Sequence, residues 1–193
     1  VAAGEACREL KLTTGGAGLA MGLARAFDVK RSASPALPKL SGPAVILAGS
    51  CSQATLAQIE AWNSAALKLD PLHLDAAAAV EWAVRRLPAP ALIYASAPPE
   101  AIVAGRGEAI EQAFREIARA LAAKGVRKFV VAGGETAGAV VEALGVRALA
   151  IGPEIDPGVP WTAAVGGEPY LLALKSGNFG SRDFFAKALG MLP

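Results

Sequence analysis

A strand-like run that ends in paired glycines constrains the fold of this chain more than any other stretch. Val130–Ala132 is apolar, Gly133 and Gly134 follow it, and residues 139–144 continue with a helical pattern. This order predicts a strand, a glycine-containing loop over residues 133–138, and a helix. Because the first backbone N–H groups of a helix can face an anion, the stretch is a candidate phosphate cradle. A plain tight turn, in which glycine only relieves the backbone, is the alternative.

Strand-like and helical segments alternate along most of the 193 residues. The predicted strands are residues 44–48, 66–69, 92–95, 128–131, 147–151 and 170–174. Helices are predicted after residue 52, at residues 75–87, 100–124 and 139–144, and from about residue 181. In the first of these helices, Leu56, Ile59 and Trp62 are expected to lie on the face that packs against the sheet. This alternation predicts an α/β fold, in which helices cover both faces of a mostly parallel sheet as a three-layer sandwich in one main domain. Residues 152–161 are expected to form a loop, because their prolines are unsuited to a helix or a central strand.

Residues 30–43 interrupt this alternation. Prolines and small polar residues dominate there, which is typical of a linker or an exposed crossing segment. The main domain is therefore expected to begin after it, at about residue 41.

Composition and charge argue against several classes of protein. The 19 basic and 17 acidic residues are scattered and leave a formal charge of +2, so nucleic-acid binding is not expected. No apolar run is long enough to cross a bilayer and no basic-then-apolar leader opens the chain, so no membrane association is expected and a cytoplasmic protein is predicted. The two cysteines, Cys7 and Cys51, are expected to be buried reduced thiols, and the single histidine, His73, is expected to be structural.

Three short loops of glycine and hydroxyl or amide residues each follow a predicted strand. In a parallel sheet, the loops that leave the carboxyl ends of the strands gather at one edge, and ligands bind there. Glycine lets the backbone approach a phosphate closely, and hydroxyl groups add hydrogen bonds. These loops therefore predict a nucleotide or phosphate site. Its candidate binding residues are Ser50, Ser52, Gly133, Gly134, Glu135, Thr136, Gly177 and Asn178.

Charged and aromatic residues near these loops have two possible roles each. Glu135 could hold a magnesium ion, directly or through water, or could simply cap the helix. Lys175 could neutralise phosphate charge, although a lysine at a strand end is more often solvated. Glu154 and Asp156 are expected to make turn-building hydrogen bonds rather than to bind a metal. Trp161 is expected to cover the core rather than to stack on a base.

Two common nucleotide-binding motifs do not account for the chain. The sequence contains no Gly-x-x-x-x-Gly-Lys-Ser/Thr, which excludes a P-loop enzyme as far as that motif can. Gly16 and Gly18 fit the dinucleotide fingerprint, but the third glycine, Gly22, comes one residue late. An NAD-linked oxidoreductase is therefore a weak rival.

Several motifs, taken in their order, closely resemble the carboxyl-terminal, nucleotide-binding domain of the four-carbon acid sugar kinases, the DUF1537 family. They are Gly49–Ser52, Gly133–Thr136, Ile151–Trp161, Leu174–Gly180 and Asp183–Phe185. Thr14–Leu19 resembles the end of the substrate domain that precedes it in the family. The resemblance implies that residues 1–40 are the tail of that domain plus a linker, and that residues 41–193 are the nucleotide-binding domain.

The resemblance also implies an activity. It implies ATP-dependent phosphorylation of a small sugar acid, such as threonate, erythronate or an oxo-tetronate, at its terminal hydroxyl. By analogy ATP would contact Ser50, the loop from Gly134 to Ala137, and Gly177. Ala17 and Ala137 stand where many relatives have serine, so one hydroxyl contact is expected to be absent at each.

The resemblance implies partners that this sequence does not itself supply. The acidic amino-terminal substrate domain, with the base for the hydroxyl proton, has no counterpart here, so no catalytic residue is assigned. The chain alone is expected to bind nucleotide weakly without turnover, and a homodimer is possible. A non-catalytic nucleotide- or phosphate-binding regulatory module of the same fold is the alternative function.

Overall fold

The computed structural model describes residues 2–30 and 36–192. The chain divides into two compact units, residues 1–34 and residues 35–193. In the first unit, helix α1 (Ala2–Ala6) packs against helix α2 (Ala17–Ala26). Gly4 permits this packing, because a Cβ there would lie 2.1 Å from the carbonyl carbon of Gly22. The division at residue 40 into a substrate-domain tail and a nucleotide-binding domain stays a prediction.

The second unit is built on one sheet. Its strands are β1 (Ala44–Ala48), β2 (Ala66–Lys68), β3 (Ala91–Tyr94), β4 (Lys128–Ala132), β5 (Leu149–Asp156), β6 (Val159–Ala164) and β7 (Leu171–Lys175). Its helices are α3 (Gln53–Ala61), α4 (Ala76–Val84), α5 (Gly107–Ala123), α6 (Gly134–Ala143) and α7 (Phe184–Gly190), with a 3₁₀ turn at Pro99–Ala101. The strand order is β2-β3-β1-β4-β7-β6-β5. The first five strands in this order run parallel, whereas β6 is antiparallel to both β7 and β5.

Side chains of the central strands alternate between two apolar clusters, one on each face of the sheet. In β1, Val45 and Leu47 face the first cluster while Ile46 and Ala48 face the second, and all four are fully buried. Helices α4, α5 and α6 cover the first face, and α3 and α7 cover the second. The predicted α/β fold, with helices on both faces of a mostly parallel sheet, is confirmed. No helix within the described residues is long and apolar enough to span a bilayer.

The expected loop at residues 152–161 is wrong, because β5 and β6 form an antiparallel hairpin there. Each proline takes a position that a hairpin tolerates. Pro153 lies in an irregular stretch of the edge strand β5, and Pro157 makes the turn with Gly158, whose φ is +80°. Pro160 precedes the first residue of β6 that pairs with β7. Strand β5 therefore extends further than the predicted strand at residues 147–151, and β6 is a strand that the sequence analysis did not predict.

Three helices begin three or more residues from the predicted start, and of these α7 begins at Phe184 rather than near residue 181. Helix α6 begins at Gly134 rather than residue 139, because Gly133 alone turns the chain at the end of β4 with a φ of +129°. Residues 134–136 therefore form the first helical turn instead of a loop. Helix α5 begins at Gly107 rather than residue 100, because Gly105 turns the chain before it with a φ of +73°.

The inward face of α3 is more polar than the predicted apolar stripe. Thr55 and Gln58 are its buried residues, whereas Leu56 is only half-buried. Ile59 and Trp62 are partly buried against the second cluster. The side-chain amide of Gln58 donates to the carbonyl oxygens of residues 179, 180 and 181 at 3.0–3.1 Å. Helix α3 is thus held by hydrogen bonds to the segment that follows β7.

A buried carboxylate at the end of β5 anchors the segment that leads into α7. Asp156 accepts hydrogen bonds from the backbone N–H of Ser181 at 2.8 Å, from its hydroxyl at 2.7 Å, and from Lys187 Nζ. Burial raises the pKa of Asp156, but the hydrogen bonds from Lys187 and Ser181 outweigh it and leave that pKa below its usual value. Asp156 therefore bridges elements instead of building a turn, whereas Glu154 accepts from the Gly158 N–H as expected.

We expect Asp156→Asn to lower the free energy of unfolding by about 2 kcal/mol, because the ion pair with Lys187 is lost. The lowered pKa of Asp156 means that its contribution is present at neutral pH and is lost as pH falls through the folded-state pKa. Urea denaturation at pH 7 and at successively lower pH should therefore show the two proteins converging. Asp70→Asn, at an exposed aspartate, is the matched control and should change stability by less than about 0.5 kcal/mol. A constant difference at all pH values would contradict the assignment.

Candidate functional site

The order of the sheet brings three predicted loops together: the first, residues 49–52, follows β1, the second, residues 133–136, follows β4, and the third, residues 176–178, follows β7. Strands β1, β4 and β7 are parallel neighbours, so the loops at their carboxyl ends lie side by side. The backbone N–H groups of Gly49 and Ser50 donate to the carbonyl of Ala132 at 3.0 and 3.2 Å. The N–H of Gly133 donates to the carbonyl of Lys175 at 2.9 Å. Backbone hydrogen bonds thus join the loop after β1 to the end of β4, and the loop after β4 to the end of β7.

Three glycines allow the loops to approach this closely. A Cβ at Gly49 would lie 2.2 Å from Thr136 Oγ1, and one at Gly133 would lie 3.1 Å from the Ser50 backbone nitrogen. A Cβ at Gly177 would lie 2.3 Å from Ser50 Oγ. Side chains at these positions would force the loops apart. The three glycines are therefore needed for the loops to lie in contact with one another.

The amino terminus of α6 opens into a cavity between the first two loops. Gly133 occupies the position before the helix and provides no side-chain cap, and its carbonyl accepts from the N–H of Ala137 at 2.8 Å. The N–H groups of residues 134–136 precede the first intrahelical bond, so they are free to serve an anion. The cavity has a volume of about 440 Å³. It is lined by Gly49, Ser50, Cys51, Gly133, Gly134, Glu135 and Thr136, which we call the cradle.

The third loop is held to the first by a cluster of hydrogen bonds on one carbonyl. The carbonyl oxygen of Gly177 accepts from Ser52 Oγ at 2.6 Å, from Thr55 Oγ1 at 3.0 Å, and from Lys175 Nζ at 2.8 Å. Ser52 also caps α3, since its hydroxyl accepts from the N–H of Thr55. The position of Gly177 beside Ser50 is therefore set by side chains of β7 and α3.

Lys175 is buried, with 1% of its surface exposed, so the expectation of a solvated lysine is wrong. Besides Gly177, its Nζ donates to Thr55 Oγ1 at 2.9 Å and to the carbonyl of Ser176 at 3.1 Å. No carboxylate forms an ion pair with it among the described residues. Burial lowers the pKa of the Lys175 amine from 10.5 to about 8. A buried, mostly charged amine thus lies directly behind the third loop at neutral pH.

The predicted site residues do not all occupy equivalent places. Ser50 and the residues from Gly133 to Thr136 line the cradle, whereas Ser52 and Gly177 lie against it through the contacts described above. Asn178 is exposed and Ala137 is half-buried, and neither lines the cavity. The sequence analysis missed the supporting roles of Thr55 and Gln58 and the burial of Lys175. The only signal for Thr55 and Gln58 was their helical spacing in a segment interpreted as apolar.

Glu135 is exposed at the rim of the cradle, in the first turn of α6. Within the described part of the chain, no basic side chain pairs with its carboxylate. Residues 2–30 and 36–192 contain no group of three or more histidine, cysteine or acidic residues that could hold a metal ion. One free carboxylate beside an anion site fits Mg²⁺ bound chiefly by phosphates and water, because this ion needs few protein ligands.

The other singled-out residues have plain structural surroundings. Trp161 is fully buried in the second cluster, and its Nε1 donates to the carbonyl of Ala188 at 2.9 Å. His73 is exposed and its Nδ1 lies 2.9 Å from Asp70 Oδ2. Cys7 and Cys51 are free thiols, as predicted, but each is half-buried instead of buried.

The fold and the cradle together define an α/β domain of the nucleotide-binding class. Residues 45–185 match the family described as the nucleotide-binding C-terminal domain, and the chain belongs to this family. It is 52% identical to the 3-oxo-tetronate kinase of Pseudomonas fluorescens over 98% of this chain and 48% of the relative. The resemblance found from the motifs is confirmed. The chain spans about half the length of the curated relatives it matches.

Solved structures show the same architecture. The Haemophilus influenzae protein HI1011, of family DUF1537, superposes with a TM-score of 0.80 at 36% identity, over 98% of this chain and 50% of that one. A DUF1537 protein from Bordetella bronchiseptica superposes with a TM-score of 0.62 at 25% identity, over 91% of this chain and 45% of that one. The latter structure is described as a domain-swapped dimer with bound citrate.

Proposed function

We propose that this chain is the nucleotide-binding part of an ATP-dependent kinase that phosphorylates a four-carbon sugar acid of the threonate, erythronate or oxo-tetronate type. The observation that carries the proposal is that three loops meet at one edge of the sheet, where two of them line the cradle and the third is hydrogen-bonded to the first. The relatives named 3-oxo-tetronate kinase support the substrate class. An uncapped helix terminus and a buried lysine give this edge of the sheet the electrostatic character that a phosphate chain requires.

In this proposal the backbone N–H groups of Gly134, Glu135 and Thr136 bind phosphate oxygens, and the Ser50 hydroxyl adds a hydrogen bond. Gly177 closes the third side of the site, with Ser52 holding its carbonyl and Asn178 at the rim. Ala137 offers only its backbone. Glu135 would hold Mg²⁺ directly or through water, and the ion would neutralise charge on the phosphates.

Transfer needs a second substrate and a base that the cradle does not supply. Glu135 and the half-buried Cys51 are the titratable side chains among the residues that line the cradle, and both lie where the phosphates are proposed to bind. Phosphoryl transfer depends on alignment of the acceptor hydroxyl with the phosphate chain. We therefore assign the base and the sugar-acid site to an amino-terminal domain. The homodimer is part of this proposal and is supported by the dimeric Bordetella relative.

We expect the 193-residue chain to bind Mg-ATP weakly, in the range of tens of micromolar to millimolar, and to leave a sugar acid unphosphorylated. Titration calorimetry measures the first result, and a coupled assay for ADP release with D-threonate, D-erythronate and 3-oxo-tetronate measures the second. The full-length enzyme, tested with the same substrates, is the control for activity.

Two outcomes would contradict this proposal separately. The absence of heat at millimolar ATP would contradict the nucleotide site. A full-length enzyme that binds ATP but phosphorylates none of the three acids would instead favour the regulatory module.

A further inference from the structure

A second cavity adjoins the cradle. It has a volume of about 220 Å³ and shares Gly49, Cys51, Glu135 and Thr136 with the cradle, so the two cavities are adjacent. Its remaining walls come mainly from the end of β3, the segment after it, and the first turn of α5. Those walls are chiefly apolar, and they include Ala95, Ala97, Ala101, Ile102, Val103 and Ile110.

The charges around this second cavity argue against an anionic occupant. Among the described residues that line it there is no lysine or arginine, whereas Glu111 and Glu135 are present. Glu111 is itself paired, since its carboxylate lies 3.8 Å from the guanidinium of Arg115. Among the described residues, no basic side chain pairs with Glu135, so its carboxylate would repel a sugar acid or a further phosphate there. An uncharged, largely apolar group fits these walls better.

Two details of the walls suit the base of a nucleotide. Ile102 lies in the lining with 52% of its surface exposed, so apolar surface is available to cover a ring. The backbone N–H of Ala97 donates only to Cys51 Sγ, at 3.5 Å. Sulfur is a weak acceptor, so this N–H is available to a ring nitrogen of the ligand.

We propose that this second cavity is the base pocket, which takes the purine of ATP while the cradle takes its phosphates. The inference rests on the proposed function, because the cradle must hold the phosphates for the base to reach this cavity. The pocket then provides the part of the affinity that distinguishes a nucleotide from a bare phosphate chain.

The test compares Mg-ATP with magnesium tripolyphosphate, which has the phosphates but no base, by calorimetry on the intact chain. Ile102→Ser removes an apolar wall and should weaken ATP binding about fivefold. Ala97→Leu fills the pocket and should weaken it about tenfold or more. Neither variant should change the affinity for tripolyphosphate. Ile151→Ser, at an isoleucine of β5 that is 59% exposed and lines neither cavity, is the matched control and should change neither ligand.

The outcomes separate the pocket from the proposed function. Equal weakening of both ligands in the variants, or unchanged ATP binding in Ile102→Ser, would overturn the base pocket. An unmodified chain that binds tripolyphosphate as tightly as ATP would overturn the pocket but leave the cradle in place. An unmodified chain that binds neither ligand would overturn the nucleotide site and the pocket with it. Circular dichroism of each variant establishes that the fold is retained, and Ile102→Ser alters only a surface side chain.

Discussion

We expect Gly133→Ala to weaken ATP binding at least about thirtyfold. Gly133 ends β4 with a φ of +129°, and an added Cβ would lie 3.0 Å from Thr136 Oγ1 and 3.1 Å from the Ser50 backbone nitrogen. Such a conformation costs a side-chain-bearing residue about 2 kcal/mol. Relief of this strain requires α6 to move relative to the loop of Ser50. The N–H groups proposed to bind the phosphates would then no longer share one cavity.

Gly138→Ala is the matched control for this substitution. It adds the same methyl group to the same helix, but no heavy atom lies within 4 Å of the added Cβ. We expect it to stabilise the protein by about 0.5 kcal/mol and to leave ATP binding unchanged. Calorimetry and urea denaturation of both variants make the comparison. A Gly133→Ala protein that is destabilised but binds ATP normally would show that the shape of the cradle is not needed for binding.

We expect Lys175→Met to weaken ATP binding about tenfold at pH 7. Methionine has a similar length and suits a buried position, so the fold should be retained. The substitution removes the positive charge behind the third loop and the 2.8 Å hydrogen bond to the carbonyl of Gly177. Lys68→Met is the matched control, because Lys68 also ends a parallel strand but is exposed. It should bind ATP as the unmodified chain does.

The pH dependence of ATP binding separates the charge of Lys175 from its packing. The groups in contact with its Nζ, Thr55 and the carbonyls of Ser176 and Gly177, do not titrate. Since the pKa of Lys175 is lowered to about 8, affinity in the unmodified chain should fall as pH rises above this value, and Lys175→Met should lose this part of the pH dependence. Folding stability should change in the opposite direction. The unfolded state binds more protons between about 8 and 10.5, so the free energy of unfolding rises with pH across this window. Parallel pH profiles for the two proteins would contradict the role of the charge.

The sheet and the convergence of its loops could be predicted because both follow from local patterns. Apolar runs such as those around Val45 and Val130 can be satisfied only in strands buried on both faces. Once those strands are parallel, the loops that follow them must share an edge, as the contact between Gly177 and Ser50 shows. That inference used only the sequence of each strand and of the loop directly after it, and required no contact between residues far apart in the chain.

The missed features depend on partners far away in the chain. Lys175 is buried because the carbonyl of Gly177 and the hydroxyl of Thr55, which lies 120 residues earlier, accept hydrogen bonds from its Nζ. Gln58 is buried because three carbonyls after β7 accept from its amide. A local pattern counts both side chains as polar and therefore exposed. The same limit applies to Pro160, which a strand tolerates only because pairing with β7 begins at the next residue.

The central claim is that the cradle binds the phosphates of one nucleotide, and a crystal structure of the chain with Mg-ATP tests it most directly. The phosphate oxygens should lie within about 3.2 Å of the backbone nitrogens of residues 134–136 and of the Ser50 hydroxyl. Phosphates located outside the cradle, with those N–H groups bound only to water, would contradict the claim.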